Sequence, residues 1–514
     1  ATIAASQSQI DIPDLNFSLD DTKGTGKVTA VLGPTPGVDV ILAINTVDLD
    51  KFLVAPSQPT PTPPKEPTTS SAPSDSTSPL GIQPSALQSA DTPLSLATLP
   101  ENFVSSLDLS IEALKFKGKA IRQANLTAEL AGREVTLSQL SALLPGNTDL
   151  AMFGFISQKG PAPAFDGTVD IATNDLRGVL DWLGTDASGI AQDRLRKLSF
   201  SGKVLAGPQA LNLSEFDIKI DNTKITGAAV VAPLERVSLG LNLDVDKINL
   251  DAYLPAPKKS ATPEKELTPK PQGTSQDQTP AGSKSPPAPS PGDNPLALLG
   301  LLGELNINLK ANVGSLNVKG VPVSNLAVDS ALLNGQLTFK NLSFQNLAGI
   351  RGKLTGSLAG LAPVEGVADP TFQDFTFDVR GESLRRFFKF AEIKSPIDPG
   401  TFGAVALTGS LNGPPRTLNV TATMRALKGR FGIDGTVKPL GPVPSMTGQL
   451  SFSHPSVIRL LRAFDIKYRP ADRNLGGIKL KSNIIASSAA ITLSRMTGEA
   501  TGVVFRGDLG LKLN

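Results

Sequence analysis

The chain of 514 residues has no cysteine, one histidine, one tryptophan and two tyrosines. Without cysteine there is no disulfide, no thiolate nucleophile and no sulfur-bearing metal site. The single histidine, His454, cannot complete a zinc site alone; it precedes Pro455 and a short apolar turn, where a capping role explains it. An excess of one charge is also missing. The 49 basic and 47 acidic residues leave a net charge of +2, and no run of basic residues stands out along the chain, which argues against nucleic-acid binding. No run of about 18 apolar residues is present to cross a bilayer as a helix. Nucleophile elbows, phosphate loops and zinc-protease motifs are absent too. These absences predict a protein that is not an enzyme and needs no metal or cofactor.

What the chain has is repetition. Leu107, Leu109, Ile111, Leu114, Phe116, Gly118, Leu137 and Leu140 recur without a gap as Leu309, Ala311, Val313, Leu316, Val318, Gly320, Phe339 and Leu342. A second block, Thr22, Gly26, Leu42, Val47, Leu49, Asp50 and Leu53, recurs as Thr223, Gly227, Leu243, Ile248, Leu250, Asp251 and Leu254. Units repeated at fixed spacing bury their apolar faces by lining up with one another.

Within the repeats the period is two. Leu239, Leu241, Leu243 and Val245 alternate with polar residues or glycine, as do Leu305, Ile307, Leu309, Ala311 and Val313. Such alternation places one sheet face in apolar surroundings and the other in water, which suits antiparallel sheet. Gly118, Gly132 and Asn334-Gly335 mark short turns. Five places follow a strand with a polar residue and a short apolar turn, near residues 47–53, 175–183, 248–254, 383–388 and 456–461, and these predict one- to two-turn helices. Trp182 reads as a core anchor. Arg385, Arg386, Arg459 and Arg462 read as solvated helix positions, with anionic head groups as the alternative.

Two stretches rich in proline, serine, threonine and lysine, 55–92 and 256–294, have almost no large apolar side chains and are expected to be disordered. They are either duplicated edge loops or a tether to the cell wall or a partner. The expected organisation is the end of a β-repeat unit over 1–54, an insert over 55–92, a repeat unit over 93–255, an insert over 256–294 and further repeat units over 295–514. The roughly 430 residues outside the inserts accommodate some 30 to 40 strands at about 10 residues each with turns. Helix is too sparse to cover them, so either two sheets stack or one long sheet curls and its apolar face lines a trough. A trough lined by Leu, Ile, Val and Ala suits flexible acyl chains.

The segments Leu107–Ile111, Leu114–Gly118, Ala124–Thr127, Gly132–Leu137 and their copy from Leu305 to Leu342 resemble the AsmA family of Gram-negative envelope proteins. The resemblance implies an all-β fold, a long, curled, mainly antiparallel repeat sheet forming a hydrophobic groove, with a few short helices. It implies a periplasmic location and support of phospholipid transport between inner and outer membranes. It also implies an inner-membrane tether through an N-terminal helix that this sequence lacks; Ala1 in place of methionine and a strand pattern running to residue 513 predict a longer natural chain. The expected partners are phospholipid acyl chains, the inner membrane and outer-membrane or envelope proteins. The candidate groove lining is Leu109, Ile111, Leu137, Leu241, Leu243, Ile307, Leu309, Phe339 and Phe377. The rival expectations are a structural scaffold or assembly factor for outer-membrane proteins, built as a closed β-sandwich array, and, more weakly, a secreted adhesin.

Overall fold

The computed structural model describes residues 2–51, 101–158, 162–233, 236–254, 305–361, 370–393, 395, 398–440, 443–463 and 476–512. The inserts expected at 55–92 and 256–294 lie outside the described residues. The fold is all-β, with 25 strands in a mainly antiparallel sheet that does not close and a few short helices. Those 25 strands are counted among the described residues, and many of them have 10 to 13 residues.

The chain divides into two compact units. One comprises Ala1–Thr185 with Phe200–Pro208, the other Asp186–Ser199 with Gln209–Asn514. The first holds β1 (Ala4–Ala5), β2 (Gln9–Leu19), β3 (Thr22–Val31), β4 (Gly37–Asp48), β5 (Val104–Phe116), β6 (Lys119–Ala131), β7 (Glu134–Leu144), β8 (Thr148–Ser157) and β9 (Ala164–Thr173). β10 (Leu198–Ala206) lies where the division falls. The second holds β11 (Leu211–Ile220), β12 (Thr223–Pro233), β13 (Val237–Asn249), β14 (Asn306–Val318), β15 (Val321–Leu333), β16 (Gln336–Leu347), β17 (Ile350–Ala359) and β18 (Thr371–Gly381). It continues with β19 (Val405–Gly413), β20 (Leu418–Ala426), β21 (Gly429–Lys438), β22 (Ser445–His454), β23 (Ile478–Ser487), β24 (Ala490–Ala500) and β25 (Val503–Lys512).

Inside each unit, each strand from β1 to β9 and from β11 to β25 pairs with the next in sequence. All these pairings are antiparallel except two. β4 runs parallel to β5, with Leu42 opposite Leu109, and β13 runs parallel to β14, with Leu243 opposite Ala311. The two repeat blocks seen in the sequence are therefore one block, β3–β7, copied as β12–β16. Each insert falls between its parallel strands, and the sheet passes that point without a break.

The duplicated aspartates hold these seams. Lys117-Gly118 and Lys319-Gly320 are two-residue hairpin turns with positive φ at both positions, 48° and 71° in one and 49° and 68° in the other. Such turns favour Asn-Gly, and lysine there carries strain. The Asp50 carboxylate accepts the N–H groups of Lys117 and Gly118 at 2.6 and 2.8 Å. Asp251 does the same for Lys319 and Gly320 at 2.6 and 2.7 Å. Asp50 and Asp251 each sit in the short 3-10 turn, Leu49–Lys51 or Leu250–Ala252, that ends the preceding strand.

All five expected helical turns form. Besides those two they are Leu176–Leu183, Arg385–Phe390 and Val457–Ala463, which follow β9, β18 and β22. Within each unit they lie at one common end of the strands. Asp175 caps its helix by accepting the Gly178 N–H at 3.0 Å. Asn249 makes no side-chain cap, and the Arg385–Phe390 helix starts from Leu384 without one. Trp182 donates its indole N–H to the Phe116 carbonyl at 3.1 Å and meets the Phe116 ring edge-on at 6.1 Å. His454 is buried; its Nδ1 accepts the Ser456 N–H at 3.1 Å, and Nε2 lies 2.8 Å from the Leu427 carbonyl. Both aromatic groups hold strand ends.

Candidate functional site: the apolar face of the sheet

Residues opposite one another in a ladder point to the same face, so the register lists what each face presents. In the first unit one row runs Leu15, Gly26, Leu42, Leu109, Leu126, Leu140, Met152 and Val169, from β2 to β9. A row on the opposite face, about three residues along each strand, reads Asp11, Thr29, Asp39, Ser106, Glu129, Thr136, Phe155 and Asp166. That face ties itself together through Thr29–Asp11 and Ser106–Asp39 hydrogen bonds of 2.9 and 2.6 Å.

The second unit repeats the division. An apolar row begins at Phe216 in β11, passes Leu243, Ala311, Val328, Leu342, Leu354 and Phe377, and reaches Ile433 and Leu450 in β22. Its neighbour on the other face includes Asp217, Asp244, Asn312, Lys353, Asp378 and Lys481. Small residues interrupt the apolar rows at fixed places. At the duplicated Gly26 and Gly227 any Cβ would run into the carbonyl oxygen of Ile41 or Asn242 on the adjacent strand. At Gly24, Gly352 and Gly498 the cross-strand phenylalanines Phe17, Phe344 and Phe505 occupy the space a side chain would need. A phenylalanine laid over glycine covers backbone and leaves a smooth hydrocarbon surface.

All nine residues expected to line a groove fall on these apolar faces: Leu109, Ile111 and Leu137 in the first unit, and Leu241, Leu243, Ile307, Leu309, Phe339 and Phe377 in the second. Leu137 is buried at 6% exposure; the other eight stay half-buried. Half-burial has a physical cause. The described strands belong to one sheet, in which each packs chiefly against its ladder neighbours. Lateral packing within one layer shields the flanks of each side chain and leaves its tip open. Stacked sheets, the other architecture open from sequence, would have closed these tips about 10 Å beneath a facing layer.

The pattern also recruits residues outside the expected lining, among them Val328, Leu342, Leu354, Ile433 and Leu450. Bulges hid some of them. Between Phe339 and Leu342 the register slips, so strict alternation fails although both side chains share the face. Among the described residues no group of three His, Asp or Glu side chains converges as a metal site, and no helix is long and apolar enough to cross a membrane. Asp221 is a partly buried carboxylate that gathers several donors. Burial pushes it upward, but N–H donation from Arg196, Leu195 and Lys197 and the Tyr253 hydroxyl outweigh that and hold it below the ordinary carboxylate value. It fastens the 195–197 segment to the β11–β12 turn. Compared with known proteins, the chain matches no family model, no curated protein and no solved structure.

Proposed function

We propose that the apolar sheet face shelters lipid acyl chains in an aqueous compartment, and that the chain is the periplasmic part of an AsmA-like envelope protein supporting phospholipid movement between inner and outer membranes. The observation that carries this reading is the apolar row that runs from strand to strand on each unit's sheet, its side chains left half-buried among the described residues. Each methylene withdrawn from water against such a surface is worth about 0.8 kcal/mol, so ten methylenes give roughly 8 kcal/mol, enough to hold a chain without any polar recognition. The residue types agree: leucine, isoleucine, valine and flattened phenylalanine offer area and few directional contacts. No catalytic step belongs to this reading. The inner membrane, through an anchor outside this sequence, and outer-membrane or envelope proteins are its proposed partners.

A photoreactive amino acid at Leu243 or Leu309 should crosslink to phospholipid in cells. The same group at Asp244 or Lys310, one residue along and on the opposite face, should not. Equal labelling of both faces, or none on either, overturns the proposal.

A further inference from the structure

The polar face of the second unit carries a feature that the linear sequence conceals. Across β17, β18, β20, β21 and β23 the register brings Arg351, Arg380, Arg425, Arg430 and Lys479 into one row, with Ala406 and Ser453 filling the places on β19 and β22. The adjoining row adds Lys353, Lys481 and Arg506. All eight are exposed. The acids in these rows are Asp378, engaged by Arg380 at 2.7 and 2.8 Å, and Glu499 beyond Lys479. Eight cations against two anions is a local excess far above the +2 of the whole chain. At about 4.8 Å per strand the first row extends roughly 29 Å. Among the described residues Arg425, Arg430 and Lys479 form no ion pair, and Arg351 shares Asp378 with Arg380 only through its field.

A second observation comes from the same strand ends. The row lies one residue in from the ends of β17, β18, β20, β21 and β23, and the helices Arg385–Phe390 and Val457–Ala463 follow β18 and β22 at that end. Their sequences, RRFFKF and VIRLLRA, mix cations with large apolar side chains; the apolar ones are half-buried and the cations face outward. Arg386, Lys389, Arg459 and Arg462 are exposed. Short helices that carry exposed cations beside half-buried apolar side chains, at the same end as the basic row, match the interface of an anionic membrane. Neither basic row contains an aromatic ring on which bases would stack, so a bilayer fits this surface better than single-stranded nucleic acid.

We infer that this end of the second unit docks on the surface of an anionic phospholipid bilayer, the basic rows meeting phosphate head groups and the two helices lying at the interface. This docking does not require acyl chains on the apolar face. The test is flotation of the full chain with phosphatidylcholine vesicles, with and without about 30% phosphatidylglycerol, at low and high salt. Binding should need the anionic lipid and should fall steeply with salt. The variant Arg351→Gln/Arg425→Gln/Arg430→Gln/Lys479→Gln should lose at least about tenfold in partitioning. Lys219→Gln/Lys310→Gln/Lys340→Gln/Lys438→Gln, which removes as much charge elsewhere on this unit, should stay within about twofold. Should the row variant misfold, Arg386→Gln/Lys389→Gln/Arg459→Gln/Arg462→Gln provides the same comparison. Equal binding to neutral vesicles, equal losses in the row and control variants, or tighter binding to duplex DNA than to anionic vesicles each overturns the inference. Photocrosslinking at Leu309 reads acyl-chain contact separately, so either proposal can fail without the other.

Discussion

Replacing Leu309 with tryptophan separates an open apolar face from a packed interior. Leu309 lies between Leu241 of β13 and Ser330 of β15 and is half-buried. If its tip points into solvent or into a removable lipid, the indole extends away from the sheet and the folded chain loses little, within about 0.5 kcal/mol. Were a second layer packed above it, the added volume would cost about 1–3 kcal/mol through overpacking. Hydrogen exchange of the β14 amides in delipidated protein resolves the two cases, because about 1.4 kcal/mol is tenfold in an opening equilibrium. The packed case accelerates exchange roughly 5- to 150-fold; the open case leaves it within about twofold. Leu332→Ala, at a site only 4% exposed, calibrates the measurement with an expected loss of about 2–5 kcal/mol. The tryptophan should at the same time lower the phospholipid that co-purifies, as seen by native mass spectrometry, because it takes up cargo volume. Accelerated exchange at β14 with unchanged lipid content would refute the open-face reasoning.

Asp50→Ala and Asp251→Ala should each destabilise their own seam by about 1 kcal/mol, since each strips two N–H acceptors from a strained turn; local exchange at Lys117-Gly118 and Lys319-Gly320 measures it, and unequal effects would show that the two copies are not equivalent. Gly227→Ala should cost about 1–3 kcal/mol because its Cβ meets the Asn242 carbonyl, and a neutral result in urea unfolding would show that β12 can shift aside. Asp221 is held below its ordinary value when folded, so its contribution is complete above the unfolded carboxylate value near 4 and is lost as pH falls through the lower folded value. Asp221→Asn should therefore lower stability at neutral pH and flatten the stability–pH curve below about pH 4; an unchanged acid limb would remove Asp221 from that role.

Period-two alternation made the strands and their faces legible. Leu241 and Leu243, or Ile307 and Leu309, share a face in any extended conformation, and cross-strand partners then follow from the turns, as Asn334-Gly335 fixes Leu333 opposite Gln336. Polar residues ahead of short apolar turns located the helices, although Asn249 caps nothing. Two aspects were not legible. The parallel joins at β4/β5 and β13/β14 depend on which edges meet across long inserts, and a one-dimensional pattern carries no information on that. The basic row was hidden for a related reason: Arg351, Arg380, Arg425, Arg430 and Lys479 are separated by 5 to 49 residues and become neighbours only once every intervening register is set. A charge count along the sequence registers such a stripe as evenly scattered cations.

The two same-direction joins give the molecule seams of an unusual kind. At an ordinary hairpin the covalent turn and the ladder tie the same two strands together at one end. At β4/β5 and β13/β14 no short turn links the partners, and the connection is made by eleven opposed residue pairs in each case together with the aspartate that grips the neighbouring turn. Severing the polypeptide between such partners would leave every ladder bond, and the aspartate's hold on the next turn, in place.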